Sequence, residues 1–144
     1  MYRIIDISTL TSEIEKYQLR KDLNEQIYKL NFVCNEDLVA LYKKTVALVM
    51  PTFFGPTNIP QLEAFALGCP VITSDIYGIP DQVGDAALLV NPSDYSDIAN
   101  KIKIIWNDKS IRQKLVRKGY KKDIEWNQKQ FSLKLGSIIE EILN

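Results

Sequence analysis

Short apolar runs rich in valine and isoleucine alternate along this chain with stretches whose apolar residues recur at helical spacing. Val46-Ala47-Leu48-Val49-Met50, closed by Pro51, and Val71-Ile72-Thr73-Ser74 are unbroken runs. That is the pattern of strands covered on both faces. Ala86 to Val90 predicts another strand, Tyr2 to Ile7 a weaker one, and Leu30 to Cys34 a short one. Between the Tyr2 to Ile7 run and the Leu30 to Cys34 run lies a helical pattern, Thr11 to Leu30, with Ile14, Tyr17, Leu23, Ile27 and Leu30 as its apolar positions. Asn35 has the chemistry of an N-cap for a helix striped by Leu38, Leu41 and Tyr42. Pro60 opens a helix over Gln61 to Leu67, and Gly68 ends it. Gly78 to Gln82 starts a short helical turn. Three further helices are predicted at about Ser96 to Trp106, about Ser110 to Lys118, and Asn127 to Leu143. The last carries Phe131, Leu135, Ile138, Ile139 and Ile142 on one face.

Strand, helix, strand, helix, strand is the order of an α/β, Rossmann-like parallel sheet with helices on both faces. Ligands on such sheets sit at the carboxyl ends of the strands, where strand order reverses. The site is therefore expected just after Met50, just after Ser74, or both. The 144 residues fit one domain, and a chain of this length buries about 70% of its unfolded surface. Lys plus Arg and Asp plus Glu are both 18, so no net charge favours nucleic acid as a partner. The chain has 0 histidines, which excludes a Ser-His-Asp or Cys-His nucleophile system and any histidine-ligated zinc. Cys34 and Cys69 form no CxxC pair and are expected to be buried, reduced thiols. No apolar run reaches the ~18–20 residues of a membrane span. The start, Met1 to Asp6, carries an acid and no small-residue cleavage site, so a signal peptide is not expected. A cytoplasmic location follows, with the inner face of a membrane reached through partners. Trp106 and Trp126 are expected in the core. Arg117-Lys118 and Lys121-Lys122 are expected to be a solvated helix end.

The loop after Met50 runs Pro51-Thr52-Phe53-Phe54-Gly55-Pro56-Thr57-Asn58-Ile59-Pro60 and leads straight into a helix start. First-turn N–H groups lack intrahelical partners, and with the helix dipole they suit a phosphate. Gly55 and Asn58 tolerate backbone angles that let the chain pass close to a ligand. Glu63, about one turn in, has the chemistry to accept two hydrogen bonds from a ribose diol. The same residue types also occur at helix starts that bind nothing, since an acid in the first turn is favourable by ~0.3–1 kcal/mol on its own. Ser74-Asp75 ends a buried strand and is a second candidate for lining the cleft.

Pro60-Gln61-Leu62-Glu63-Ala64-Phe65-Ala66-Leu67-Gly68-Cys69-Pro70-Val71-Ile72-Thr73-Ser74 resembles the donor-binding signature of the retaining glycosyltransferases of group 1, also called family 4. So does Gly84-Asp85-Ala86-Ala87-Leu88-Leu89-Val90-Asn91-Pro92. Asn35-Glu36-Asp37-Leu38 with Leu41-Tyr42, and Asp108 to Gly119, match the flanking helices, so the resemblance runs over roughly residues 30 to 135. It implies the C-terminal half of a GT-B enzyme, in which two Rossmann-like domains face across a cleft. It implies that Glu63 contacts the ribose, and that Ile59 and Pro60 approach the donor sugar and diphosphate. Substrate contacts are thus expected from Gly55, Thr57, Asn58, Ile59, Pro60 and Glu63. The family's first acid lies eight residues before the second, where this chain has Gly55. The usual Gly-Phe-Gly becomes Pro56-Thr57-Asn58. No catalytic side chain is assigned, and the loop reads as a variant donor loop that keeps backbone contacts.

The activity implied is sugar transfer from a nucleotide sugar to an acceptor hydroxyl with retention, in glycan or surface-polysaccharide assembly. No cofactor or metal is implied, since no acidic DxD loop is present. A whole enzyme of this type also has an acceptor domain, and an earlier half-domain supplying an Arg and a Lys to the diphosphate. No residue here fills those roles by matched motif. Losing one such stabilising donor costs ~10²–10³ in rate. Residues 1–144 are therefore expected to form a single, incomplete nucleotide-sugar-binding domain: a fragment, a truncated product or half of a split enzyme. Its 127–143 helix is expected to dock on a missing domain, or on another copy of the chain. A non-catalytic nucleotide-sugar-binding or interaction module, and an inactive relic, are the alternatives.

Overall fold

The computed structural model describes residues 4–5, 28, 30, 32–55, 58–125 and 128–143. Four strands, β1 (Ile4–Ile5), β2 (Leu48–Met50), β3 (Val71–Ser74) and β4 (Ala87–Val90), form one sheet in the order β1-β2-β3-β4. Every pairing is parallel, with Leu48 opposite Ile4 and Val71, and Val71 opposite Ala87. Six helices accompany it among the described residues: α1 (Asn35–Lys44), α2 (Ile59–Ala66), α3 (Ile79–Val83), α4 (Tyr95–Asn107), α5 (Lys109–Glu125) and α6 (Gln128–Leu143).

Alternation along the strands builds two cores. Leu48, Met50, Val71 and Ala87 turn to one face and pack with Tyr42, Phe65, Ile79 and Val83 from α1, α2 and α3. Ile72 and Val90 turn to the other, against Ile105 of α4 and Leu115 of α5. With side chains covered on both sides, the strands read as unbroken apolar runs. α5 also reaches α2: a Cβ on Gly119 would lie 2.9 Å from Phe65 Cδ1. Gly68, at φ +72°, ends α2 in the left-handed region, as its position predicts.

Several expectations are corrected. No strand occurs among the described residues of 30–34, and the 11–30 helix and Trp126 lie outside the described residues apart from isolated positions. α1 begins at Asn35 itself, with Cys34 as the capping residue. Cys34 is exposed and only Cys69 is buried, because Cys34 lies at a helix entrance and not on a packed strand. Trp106 is 42% exposed: Ile105 beside it takes the buried position of that turn, and Trp106 lies on the wall of a surface hollow. α5 continues to Glu125, past the predicted end at Lys118, so the basic run lies within a helix. The described strands follow chain order with no reversal, so the sheet's carboxyl rim, and not a switch point, frames the loops below.

Candidate functional site

The loops after β2 and β3 meet at the carboxyl rim. Ser74 Oγ donates to the Thr52 carbonyl at 2.6 Å, so its hydroxyl anchors the loop and does not line a cleft. Thr52 Oγ1 accepts from the Phe54 N–H at 3.2 Å, a local turn that leaves Phe53 and Phe54 exposed. Gly55 sits at φ +144°, and a Cβ there would lie 2.7 Å from Asn58 Oδ1. The position that carries an acid in the resembled family is thus conformationally reserved for glycine here. Thr57 lies outside the described residues.

α2 starts at this loop. Asn58 is its N-cap, in extended conformation, and its side chain makes no capping hydrogen bond. The first turn contains no acid, so nothing in it offsets the positive end of the helix dipole. Pro60 removes one first-turn donor, and the Asn58 N–H is engaged by Gln82 Oε1 at 3.1 Å. The amides of Ile59 and Gln61 make up the remainder of that turn. Below them Gln61 is fully buried, its Nε2 donating to Thr73 Oγ1, which donates to the Met50 carbonyl at 3.4 Å. This chain ties the start of α2 to the ends of β2 and β3.

Glu63 is exposed on the same helix, and its Oε2 accepts from the Tyr42 hydroxyl at 3.1 Å. Tyr42 comes from α1 and is only 5% exposed, so a buried ring holds an exposed carboxylate in place. Glu63, Gly55, Asn58, Ile59 and Pro60 therefore belong to one loop–helix unit at one rim. The unit offers amide donors, a helix dipole and a braced carboxylate, the complement of an anion attached to a polyhydroxylated group. Among the described residues, no group of three or more Cys, Asp or Glu could hold a metal ion. Sequence reasoning missed Tyr42, read only as apolar stripe, and Gln82, read only as a turn residue. The signal available was that each carries a polar tip on an otherwise packed element.

A hollow of about 690 Å³ lies at the opposite rim, lined by Thr45, Pro70, Trp106, Arg112 and Arg117 among others. It adjoins the amino ends of β2 and β3, remote from this loop. Arg112 Nη1 there donates to the Trp106 carbonyl at 2.8 Å, closing the end of α4.

Comparison with known proteins shows where this sequence and fold recur. O-antigen chain mannosyltransferase B from Escherichia coli is 36% identical over 90 residues, 62% of this chain and 24% of that protein. The chain thus spans about a quarter of that relative's length. Sucrose-phosphate synthase from Thermosynechococcus elongatus superposes with a TM-score of 0.77 at 25% identity, over 92% of this chain and 34% of that one. The C-terminal domain of a glycosyl transferase group 1 family protein from Francisella tularensis superposes with a TM-score of 0.68 at 24% identity, over 81% and 61% respectively. The fold is the Rossmann-like one of GT-B glycosyltransferase domains. The sequence profile described as glycosyl transferases group 1 matches residues 2–122, and the chain belongs to that family.

Proposed function

We propose that this chain is the nucleotide-sugar-binding part of a retaining glycosyltransferase that moves a hexosyl unit, mannosyl by its relative, in surface-polysaccharide assembly. The observation that carries the reading is Glu63, exposed and braced by Tyr42, beside an acid-free helix start. In this reading the α2 amides and dipole take the diphosphate. Glu63 takes the ribose hydroxyls through its outer oxygen and shares the other with Tyr42. When the sugar–phosphate bond breaks, negative charge grows on the diphosphate, and the fixed dipole of α2 meets it without reorganising. Fixed amides can read a sugar where the acid at 55 is replaced by glycine, because they need shape and not side-chain type. Transfer itself belongs to the pairing of this chain with an acceptor-binding domain at the cytoplasmic face of a membrane.

Calorimetric titration with GDP, UDP, ADP and their hexosyl forms tests the reading. One nucleotide is expected to bind, and Glu63→Ala to weaken it about tenfold, the scale of a hydrogen bond to a charged group. Heat-silent titrations with all six ligands, or equal affinity in Glu63→Ala, overturn it. Adding an acceptor-domain chain and a candidate acceptor then separates an enzyme half from a binding module: the first gives labelled product and the second does not.

A further inference from the structure

An asparagine at an N-cap ordinarily folds its side-chain oxygen onto the amides of its own first turn. Asn58 does not. It makes no capping bond, and its Oδ1 instead lies back over Gly55, 2.7 Å from where a Cβ there would stand. Its backbone is held from outside. The Asn58 N–H donates to Gln82 Oε1 at 3.1 Å, and Gln82 Nε2 donates to the Asn58 carbonyl at 3.4 Å. The two contacts pair a side-chain amide with a main-chain amide, as neighbouring strands pair. They join residues 24 apart in sequence.

Gln82 is well placed for this. It stands on α3, whose Ile79 and Val83 are both fully buried, so the side chain starts from a packed base. The Ser74–Thr52 hydrogen bond pins the near end of the same loop to β3. The loop is thus fastened at both ends to the β3–α3 unit, with Phe53, Phe54 and Gly55 between the fastenings.

We propose that Gln82 is a positioning residue for the donor site: it sets the α2 N-cap from outside and leaves the first-turn amides open for the diphosphate. The inference rests on the donor-site reading above. Its physical core is a competition for the same N–H groups. A self-capping Asn58 puts its own oxygen on the amides that an anion needs, whereas a backbone clasp from α3 fixes the turn without filling it. Asn58 Nδ2, buried and without a hydrogen-bond partner, fits this account. A side chain diverted from its usual task leaves a donor unsatisfied, and such donors persist where the arrangement serves a function.

The test compares wild type and Gln82→Leu, which keeps bulk and loses both hydrogen bonds. GDP, UDP, ADP and their hexosyl forms are titrated, melting temperature is recorded without ligand, and amide exchange is followed at Asn58. Gln82→Leu is expected to bind the preferred nucleotide about five- to tenfold more weakly, with faster exchange at Asn58 and an unchanged melting temperature. Gln82→Glu keeps the acceptor, and its Asn58 amide is expected to stay protected. Affinity within twofold of wild type in Gln82→Leu overturns the positioning role. So does an affinity loss matched by a lower melting temperature, which marks a purely structural contact. If wild type binds none of the three nucleotides or their hexosyl forms, the donor-site reading falls and the positioning role falls with it. The exchange arm still reads the clasp on its own, so the two failures are told apart.

Discussion

Burial pushes the thiol of Cys69 up to about 12, while Cys34 stands exposed at the entrance of α1. In the folded chain Cys34 is expected to react with a water-soluble disulfide reagent at neutral pH, and Cys69 only after denaturation. Release of two equivalents without denaturant contradicts this. The raised Cys69 value has a defined sign. Folding favours the neutral thiol, so its contribution is fully present below the ordinary value of 9.0 and fades as pH climbs from there toward about 12. The stability advantage of wild type over Cys69→Ala, read from urea unfolding, should shrink across that window; a constant advantage contradicts the account. Asp85 behaves oppositely. The hydrogen bond from Lys118 holds its carboxyl below the usual range, so what it contributes is lost as pH falls. Asp85 is exposed, and the effect is correspondingly small.

Among the elements, α5 shows how a helix can be misjudged from its residues. The predicted helix stops at Lys118, just before a glycine, yet α5 runs to Glu125. Gly119 is there because α5 crosses α2 at that point, and a Cβ would meet Phe65 Cδ1 at 2.9 Å and its Cα at 3.4 Å. A packing glycine and a terminating glycine look alike in sequence; of these two, Gly68 has the positive φ of a terminus and Gly119 does not. Gly119→Ala is expected to destabilise the chain by about 1–3 kcal/mol in urea unfolding, as overpacking against backbone does. A change below about 0.5 kcal/mol shows that the crossing yields. β3 was legible because an unbroken Val-Ile-Thr-Ser run follows Pro70. The α2 start was legible from Pro60, and the place of Glu63 about one turn into that helix from its spacing. The Gln82 clasp and the Tyr42 brace were not, since both join elements distant in sequence and depend on how α1 and α3 are oriented.

For the molecule as a whole, two features bear on association. The chain spans 24% of the length of its Escherichia coli relative. The apolar positions of α6, including Phe131, Ile138, Ile139 and Ile142, are exposed. Such a face favours association. Ile138→Ser with Ile142→Ser is expected to lower the mass seen by light scattering at high concentration while leaving nucleotide affinity unchanged. An identical mass in wild type and variant shows that the face takes no part.

The crossing at Gly119 carries a consequence for evolution. The helix proposed as the nucleotide's seat is short, and its back rests on α5, where Tyr120 also lies against Gly68. A methyl group added at Gly119 presses on Phe65 of that helix, far from any ligand. Sequence drift far downstream, in α5, is therefore a direct route to disturbing the helix on which the proposed site is built.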